Sequence, residues 1–110
     1  MKSEEELQAI RQRVLDDTHI TPFQRRVYLE LLNVPEGETV SYAQLAQRIG
    51  CRSAQAVGQA LKRNPFAPDV PCHRVVRSDG SLGGYCGATS GEILDRKRRL
   101  LEAEGVISNQ

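Results

Sequence analysis

Apolar residues recur at helical spacing in the first third of the chain. Ser3 and Glu6 form a capping-box pattern ahead of the first set, so we predict a helix there. Its apolar positions are Leu7, Ile10, Val14 and Leu15. Thr21 followed by Pro22 is typical of a helix start and predicts a second helix. The apolar positions of that helix are Phe23, Val27, Tyr28, Leu31 and Leu32.

The middle of the chain predicts two short helices. After an extended piece at Thr39-Val40, Ser41 can cap a helix that Gly50 ends. Ser53 can cap another helix, which ends before Asn64-Pro65. Their apolar positions are Leu45, Ala46, Ile49, Val57, Ala60 and Leu61. Two short helices joined by a glycine-containing turn predict a helix-turn-helix.

The last third predicts a β-hairpin followed by a helix. Extended segments at 73–77 and 82–85 flank Ser78-Asp79-Gly80-Ser81, and Asp-Gly in such a place is a strong hairpin signal. A final helix is expected over roughly 90–104, with Ser90 as its cap and Gly105 as its end. Its apolar side consists of Ile93, Leu94, Leu100 and Leu101. The expected fold class is therefore mostly α with a small β-hairpin, a winged helix-turn-helix.

Length and composition indicate one domain with a modest core. The chain has 110 residues, of which 39% are hydrophobic and 26% charged. Apolar runs stay well short of the roughly 20 residues of a membrane span, and the acidic start does not resemble a secretory signal. Three cysteines, an odd number, argue against a disulfide framework and favour a reducing cytoplasm. We expect a cytoplasmic monomer with no membrane contact.

Charge is distributed unevenly along the sequence. The net charge of +1 combines a balance of −3 over residues 1–40, +5 over 41–77 and −1 over 78–110. The basic middle includes the predicted helix-turn-helix, which favours a nucleic-acid partner. A basic face that only contacts water is the alternative.

The segment Pro71-Cys72-His73-Arg74-Val75-Val76 places a possible nucleophile beside a possible base. A free thiol has a pKa near 8.5, so an imidazole that accepts its proton would activate it. On an extended backbone neighbouring side chains point apart, and contact would then need a bent backbone or a bridging water. One alternative is a structural cysteine beside a surface histidine. Another is a zinc site, although the four candidates contain no Cys-x-x-Cys pair: Cys51, Cys72, His73 and Cys86.

The same segment resembles the active-site motif of the O6-alkylguanine-DNA alkyltransferases, the methylated-DNA–protein-cysteine methyltransferases. The similarity extends over roughly residues 20–106 and includes Val40-Ser41-Tyr42, Ala56-Val57-Gly58, Asn64-Pro65, Gly84-Tyr85, Leu100-Leu101 and Glu104-Gly105. The resemblance implies a winged helix whose second helix enters the minor groove of double-stranded DNA. The damaged guanine would leave the base stack, as chemistry on a base requires. The cysteine would take the alkyl group from O6 directly and irreversibly, with no cofactor and no metal.

The resemblance also implies roles for individual residues. Cys72 would be the alkyl acceptor, and His73 the base that acts on it through a water. Glu104 would orient His73, Asn64 would hold the active-site turn together, and Tyr42 would contact the guanine. Backbone groups around Cys72 and Val75 would read the guanine amine, and the pocket wall facing O6 would be Tyr85, Cys86 and Gly87. The expected DNA-binding residues are Arg52, Ser53, Ala54, Gln55, Gly58 and Arg74. Taken singly, the tyrosines, Asn64 and Glu104 have plain structural interpretations.

Three features depart from the family pattern. Gln55 stands where an arginine usually fills the space of the flipped base, and an amide lacks its charge and reach. Cys86 and Ala88 stand where serine and glycine are more common. Most members carry a further N-terminal domain, whereas here we expect a helical extension over 1–20 and the winged-helix alkyltransferase domain over 21–110. Alkyltransferase-like proteins, which bind O6-alkylguanine DNA without repairing it and recruit excision repair, are therefore the alternative. They typically replace the active-site cysteine, which this chain retains. A plain winged-helix regulator is a further alternative.

Overall fold

The computed structural model describes residues 3–67, 69–77 and 92–105. Over these ranges it contains five α-helices, two short strands and a 3₁₀ turn at Cys72–Arg74. The elements are α1 (Glu4–Asp16), α2 (Pro22–Leu31), β1 (Val40–Ser41), α3 (Tyr42–Arg48), α4 (Ala54–Lys62), β2 (Val75–Val76) and α5 (Glu92–Ala103). The architecture is therefore mostly helical with a small sheet. In the described ranges, none of the helices combines the length and apolarity needed to cross a membrane.

Side-chain caps explain where four of the helices begin. Thr21 and Gln24 bond each other's backbone N–H groups, which makes a complete capping box at α2. Ser41 and Gln44 do the same at α3. Four of the N-caps predicted from sequence are observed: Ser3, Thr21, Ser41 and Ser53. The predicted cap Ser90 lies outside the described residues.

Helix α2 lies at the centre of the core, where it packs against α1, α3 and α4. Tyr28 is fully buried and donates a 2.6 Å hydrogen bond from its hydroxyl to the Ala60 carbonyl of α4. Its ring meets Phe66 edge-on at 6.0 Å between centroids. Leu15, one of the apolar positions of α1, lies outside the core, because that side chain is 47% exposed. Helix α1 buries only the stripe of Ile10 and Val14, and Leu15 is turned about 100° away from it.

The small sheet of the described residues joins two strands whose pairing the sequence did not predict. Strand β1 pairs in parallel with β2, with Val40 opposite Val75 and Ser41 opposite Val76. The predicted strand over 73–77 shrinks to β2, since the residues before it form the 3₁₀ turn. The predicted second arm, 82–85, lies outside the described residues. The described pairing is non-local, and a local sequence pattern carries no signal for it.

The parallel pairing fixes the start of α3 beside the segment that contains Cys72. Ser41 ends β1 and also caps α3, so Tyr42 follows directly from the sheet. Helices α3 and α4 are consecutive and pack against each other across the turn that contains Gly50, whose φ is 70°. Helix α5 ends, as predicted, at a left-handed Gly105 with φ 77°.

Candidate active site and nucleic-acid interface

Cys72 lies in a tight turn and its side chain is buried, with 5% relative exposure. Its N–H donates to the Val70 carbonyl at 2.8 Å, and the Arg74 N–H donates to the Pro71 carbonyl at 2.9 Å. The 3₁₀ turn closes when the Val75 N–H donates to the Cys72 carbonyl. The backbone at Cys72-His73 is therefore bent rather than extended.

Asn64 ties together the loop that leads to this turn. Its side-chain amide donates to the Val70 carbonyl at 3.1 Å, and its side-chain oxygen accepts from the Phe66 N–H at 2.9 Å. One side chain thus fixes both ends of the loop segment between α4 and Cys72. The resemblance implied this hydrogen-bonding role, and the geometry of Asn64 fits it.

His73 and Glu104, 31 residues apart in sequence, meet in the folded protein. His73 Nε2 lies 2.9 Å from Glu104 Oε2, and the His73 side chain is only 3% exposed. Burial raises the pKa of the Glu104 carboxyl, but hydrogen bonds from Arg74 and His73 outweigh it, so that this pKa lies below its ordinary value. Glu104 is therefore an anion at neutral pH, and His73 can present its other ring nitrogen, Nδ1, as a base.

Arg74 was expected to contact DNA, yet its guanidinium points into the protein. Nε and Nη2 donate to the two carboxylate oxygens of Glu104 at 2.9 Å and 2.7 Å. Nη1 donates to the Val34 carbonyl, after the end of α2, at 2.8 Å. With its side chain 14% exposed and its donors directed at Glu104 and Val34, Arg74 is not oriented toward a nucleic acid.

Lys97 was not predicted as a site residue, and it is fully buried on α5. Its amine donates to the Val75 carbonyl at 2.7 Å. Burial lowers the pKa of this amine to about 8, while the charge of Cys72 acts in the opposite direction. A signal was present in the sequence, because Lys97 falls on the apolar stripe of α5 between Leu94 and Leu101. It is a buried polar group next to a backbone carbonyl that was expected to read the guanine.

Four of the predicted DNA-binding residues lie at the start of α4, and Gly58 lies in its middle. Arg52, Ser53 and Gln55 are exposed, and Ala54 is half-buried. Gly58 faces Tyr42, because a side-chain carbon built on Gly58 would lie 4.0 Å from the Tyr42 ring. This close approach joins the first residue of α3 to the middle of α4. A groove of about 770 Å³ runs beside the start of α4, and both Arg52 and Arg77 line it.

The predicted pocket wall and the zinc candidates remain to be placed. Tyr85, Cys86 and Gly87, the predicted pocket wall, lie outside the described residues. Within the described ranges, no group of three histidine, cysteine or acidic side chains is arranged to hold a metal ion. The three described zinc candidates therefore do not form such a group: Cys51, Cys72 and His73.

Residues 22–106 match the protein family described as 6-O-methylguanine DNA methyltransferase, DNA binding domain. The chain belongs to this family. It is 47% identical over 93 residues to the methylated-DNA–protein-cysteine methyltransferase of Methanothermobacter thermautotrophicus, covering 84% of this chain and 49% of that protein. The chain thus spans about half the length of the curated relatives it matches.

Two solved structures are similar to the fold. A structure of the Mycobacterium tuberculosis OGT in complex with DNA matches with a TM-score of 0.72 at 48% identity, covering 81% of this chain and 52% of that one. A structure of the S. pombe Atl1 in complex with damaged DNA containing O6-carboxymethylguanine matches with a TM-score of 0.67 at 31% identity, covering 80% of each chain. Both structural relatives were solved with DNA, and the second with a damaged guanine.

Proposed function

We propose that this chain repairs DNA by transferring the alkyl group of O6-alkylguanine to Cys72, once per molecule. The observation that carries the proposal is the buried Cys72 on a bent turn, followed by a histidine whose Nε2 lies 2.9 Å from Glu104. Membership of the methyltransferase family supports the same reaction. The activity is that of a methylated-DNA–[protein]-cysteine S-methyltransferase without a cofactor.

The proposed step is a displacement at the alkyl carbon. The thiol proton passes through a water to His73 Nδ1, and Glu104 stabilises the imidazolium that results. A bond forms between Sγ and the alkyl carbon while the bond from that carbon to O6 breaks. Guanine takes up a proton and regains its normal form, and the cysteine remains a thioether. Because the thioether is stable, the protein cannot turn over. A reducing, cytoplasmic setting would keep the acceptor available as a thiol.

DNA binding is proposed to use a winged helix-turn-helix formed by α3, α4 and the segment after β2. Helix α4 would enter the minor groove of double-stranded DNA as a monomer, with Arg52, Ser53 and the first turn of the helix near phosphates. Ala54 and Gly58 are small enough to allow a close approach. Gln55 would occupy the space that the flipped guanine leaves. Helix α1 is proposed as an extension of the domain that begins near residue 21.

The guanine pocket would be built around the Cys72 turn. The backbone of Cys72 and Val75 would read the exocyclic amine, and Tyr42 would contact the base from the start of α3. Tyr85, Cys86 and Gly87 would close the pocket on the O6 side. The bond from Lys97 to the Val75 carbonyl supports this assignment, because it fixes one of the proposed reading groups in place.

The alternative, a protein that binds O6-alkylguanine DNA without repairing it, predicts recognition without chemistry. It is not favoured, because the chain keeps Cys72 together with His73 and Glu104, and its relatives with 46–49% identity are named as methyltransferases or a DNA repair enzyme.

Intact mass spectrometry after incubation with an O6-methylguanine duplex tests the proposal. The expected result is the gain of one methyl group, located on Cys72 by peptide mapping and limited to one per molecule. No gain in mass, together with tight and selective binding to the damaged duplex, would contradict transfer and support the alternative.

A further inference from the structure

Three nitrogens of the Arg74 guanidinium each donate a hydrogen bond within the protein, close to the candidate nucleophile. Its Nε lies 2.9 Å from Glu104 Oε1 and its Nη2 lies 2.7 Å from Oε2, a pair of parallel bonds that fixes distance and orientation. The third contact, to the Val34 carbonyl, anchors the guanidinium to the chain after α2. Glu104 is therefore held from one side by Arg74 and meets His73 on the other.

Arg74 and His73 contact the same carboxylate oxygen of Glu104. Glu104 Oε2 lies 2.7 Å from Arg74 Nη2 and 2.9 Å from His73 Nε2. The side chains are 14%, 10% and 3% exposed for Arg74, Glu104 and His73, so water screens their charges weakly. An isolated carboxylate at this distance would favour the imidazolium form of His73. The guanidinium balances that carboxylate and removes the preference.

We propose that Arg74 is a positioning residue that balances the charge of Glu104 and so keeps His73 a neutral base at neutral pH. The effect on the transfer rate rests on the proposed function. The effect of the Arg74 charge on the protonation of His73 is a charge relation that can be measured on the protein without DNA. The charge relation and the proposed function can therefore fail separately.

Other titratable groups approach the three residues. A cavity of about 530 Å³ is lined by Arg74, His73 and Glu104 and also by three acidic side chains from α1 and two loops. These are Glu4, Glu36 and Asp69. Asp69 forms a solvent-exposed ion pair with Arg13 at 3.0 Å. Cys72 lies on the same turn as His73, and Lys97 lies on α5, seven residues before Glu104. These neighbouring groups are unchanged in the Arg74 variants described below. Differences between those variants and the wild type therefore report the charge of Arg74.

Titration of the imidazole signals by NMR tests the charge relation. The chain has two histidines, and His19 is exposed and distant in sequence, so it serves as an internal reference. In Arg74→Gln, which removes the charge but keeps a donor group, the midpoint of His73 should rise by about one to two pH units. Arg74→Lys keeps the charge, so the midpoint of His73 in this variant should stay closer to that of the wild type. Arg13→Gln, which breaks the exposed ion pair instead, should leave the midpoint unchanged.

An unchanged His73 midpoint in Arg74→Gln would overturn the proposal. Should that variant fail to fold, Glu104→Gln removes the opposite charge of the pair and should lower the midpoint of His73. An unchanged midpoint in Glu104→Gln would overturn the proposal equally.

The pH dependence of single-turnover transfer to Cys72 tests the consequence. Removing a nearby positive charge raises the proton affinity of both the imidazole and the thiol. The acidic limb of the rate–pH profile should therefore move to higher pH, whichever group loses its proton first. In Arg74→Gln the rate near pH 7 should fall, by about tenfold for every pH unit by which the midpoint of the limb comes to lie above pH 7, and it should recover at higher pH. A rate lowered equally at every pH would indicate a purely structural role and overturn the proposal. A higher His73 midpoint in Arg74→Gln with no transfer by the wild type would support the charge relation and contradict the proposed function.

Discussion

Lys97 donates a hydrogen bond of 2.7 Å from a fully buried amine to the carbonyl of Val75. The bond joins α5 to the strand that directly follows the turn with Cys72. A buried amine keeps its place only if its donors are satisfied, and the Val75 carbonyl supplies a partner. Helix α5 therefore supports the candidate site through Lys97, and Glu104, directly after the end of the helix, supports it as well.

The burial of Lys97 predicts a pH dependence of stability. Its pKa is about 8 in the folded protein, against about 10.4 for an exposed lysine. Below pH 8 both states carry the proton, so stability does not change through this group. Between pH 8 and 10.4 the unfolded state binds more protons, so the free energy of unfolding rises, by at most about 3 kcal/mol.

Denaturant unfolding of the wild type and Lys97→Met at several pH values checks this expectation. Lys97→Met lacks the titrating amine, whereas every other ionisable group is the same in both proteins. The stability of the wild type relative to the variant should increase from pH 8 to pH 10. Parallel pH profiles for the two proteins would show that the Lys97 amine is not perturbed by burial.

Cys72→Ala should abolish alkyl transfer and leave binding to the damaged duplex largely intact. The substitution removes the proposed acceptor atom, but the exposed residues at the start of α4 are unchanged. Intact mass spectrometry measures the transfer, and a fluorescence titration with the duplex measures the binding. Cys51→Ala is the matched control, because it removes the other described thiol, and it should still gain one methyl group. Transfer by Cys72→Ala would mean that another residue is the acceptor.

Gln55→Arg should increase the transfer rate on duplex DNA more than the rate on the free base O6-methylguanine. Arginine brings charge and reach to the position proposed to fill the space of the flipped base, and a free base needs no extrusion. Gln59→Arg adds the same charge one turn further along α4, at another exposed position. If both variants gain equally on duplex DNA, general attraction to phosphates explains the effect and Gln55 has no part in extrusion.

Tyr28→Phe should lower the free energy of unfolding by about 1 kcal/mol, because it removes a buried hydrogen bond to the Ala60 carbonyl. Urea unfolding monitored by circular dichroism measures the change. Leu15→Ala, at an exposed position of α1, should change stability by less than about 0.5 kcal/mol. A loss in Tyr28→Phe no larger than that control would contradict a stabilising link between α2 and α4.

Local features of the sequence predicted much of the helical framework. Thr21 with Gln24, Ser41 with Gln44, and Gly105 each act within one helical turn, so their neighbours along the chain suffice to define them. The family resemblance also points to Cys72, His73 and Glu104 from the sequence alone. The assignment of Arg74 to DNA was less successful, since a positive charge in a basic stretch does not reveal which carboxylate it will meet.

By itself, the sequence determined where the helices begin, which residues carry the candidate chemistry and which family the motif resembles. These depend on short-range hydrogen bonding and on residue identity. Only the tertiary structure decided that β2 pairs with β1, that the Cys72 backbone bends, and that Arg74 and His73 share one carboxylate oxygen 30 and 31 residues away. It also decided that Lys97 is buried against Val75. Apart from the bend at Cys72, which is closed by local hydrogen bonds, these contacts join distant parts of the chain and form because the packed core brings those parts together.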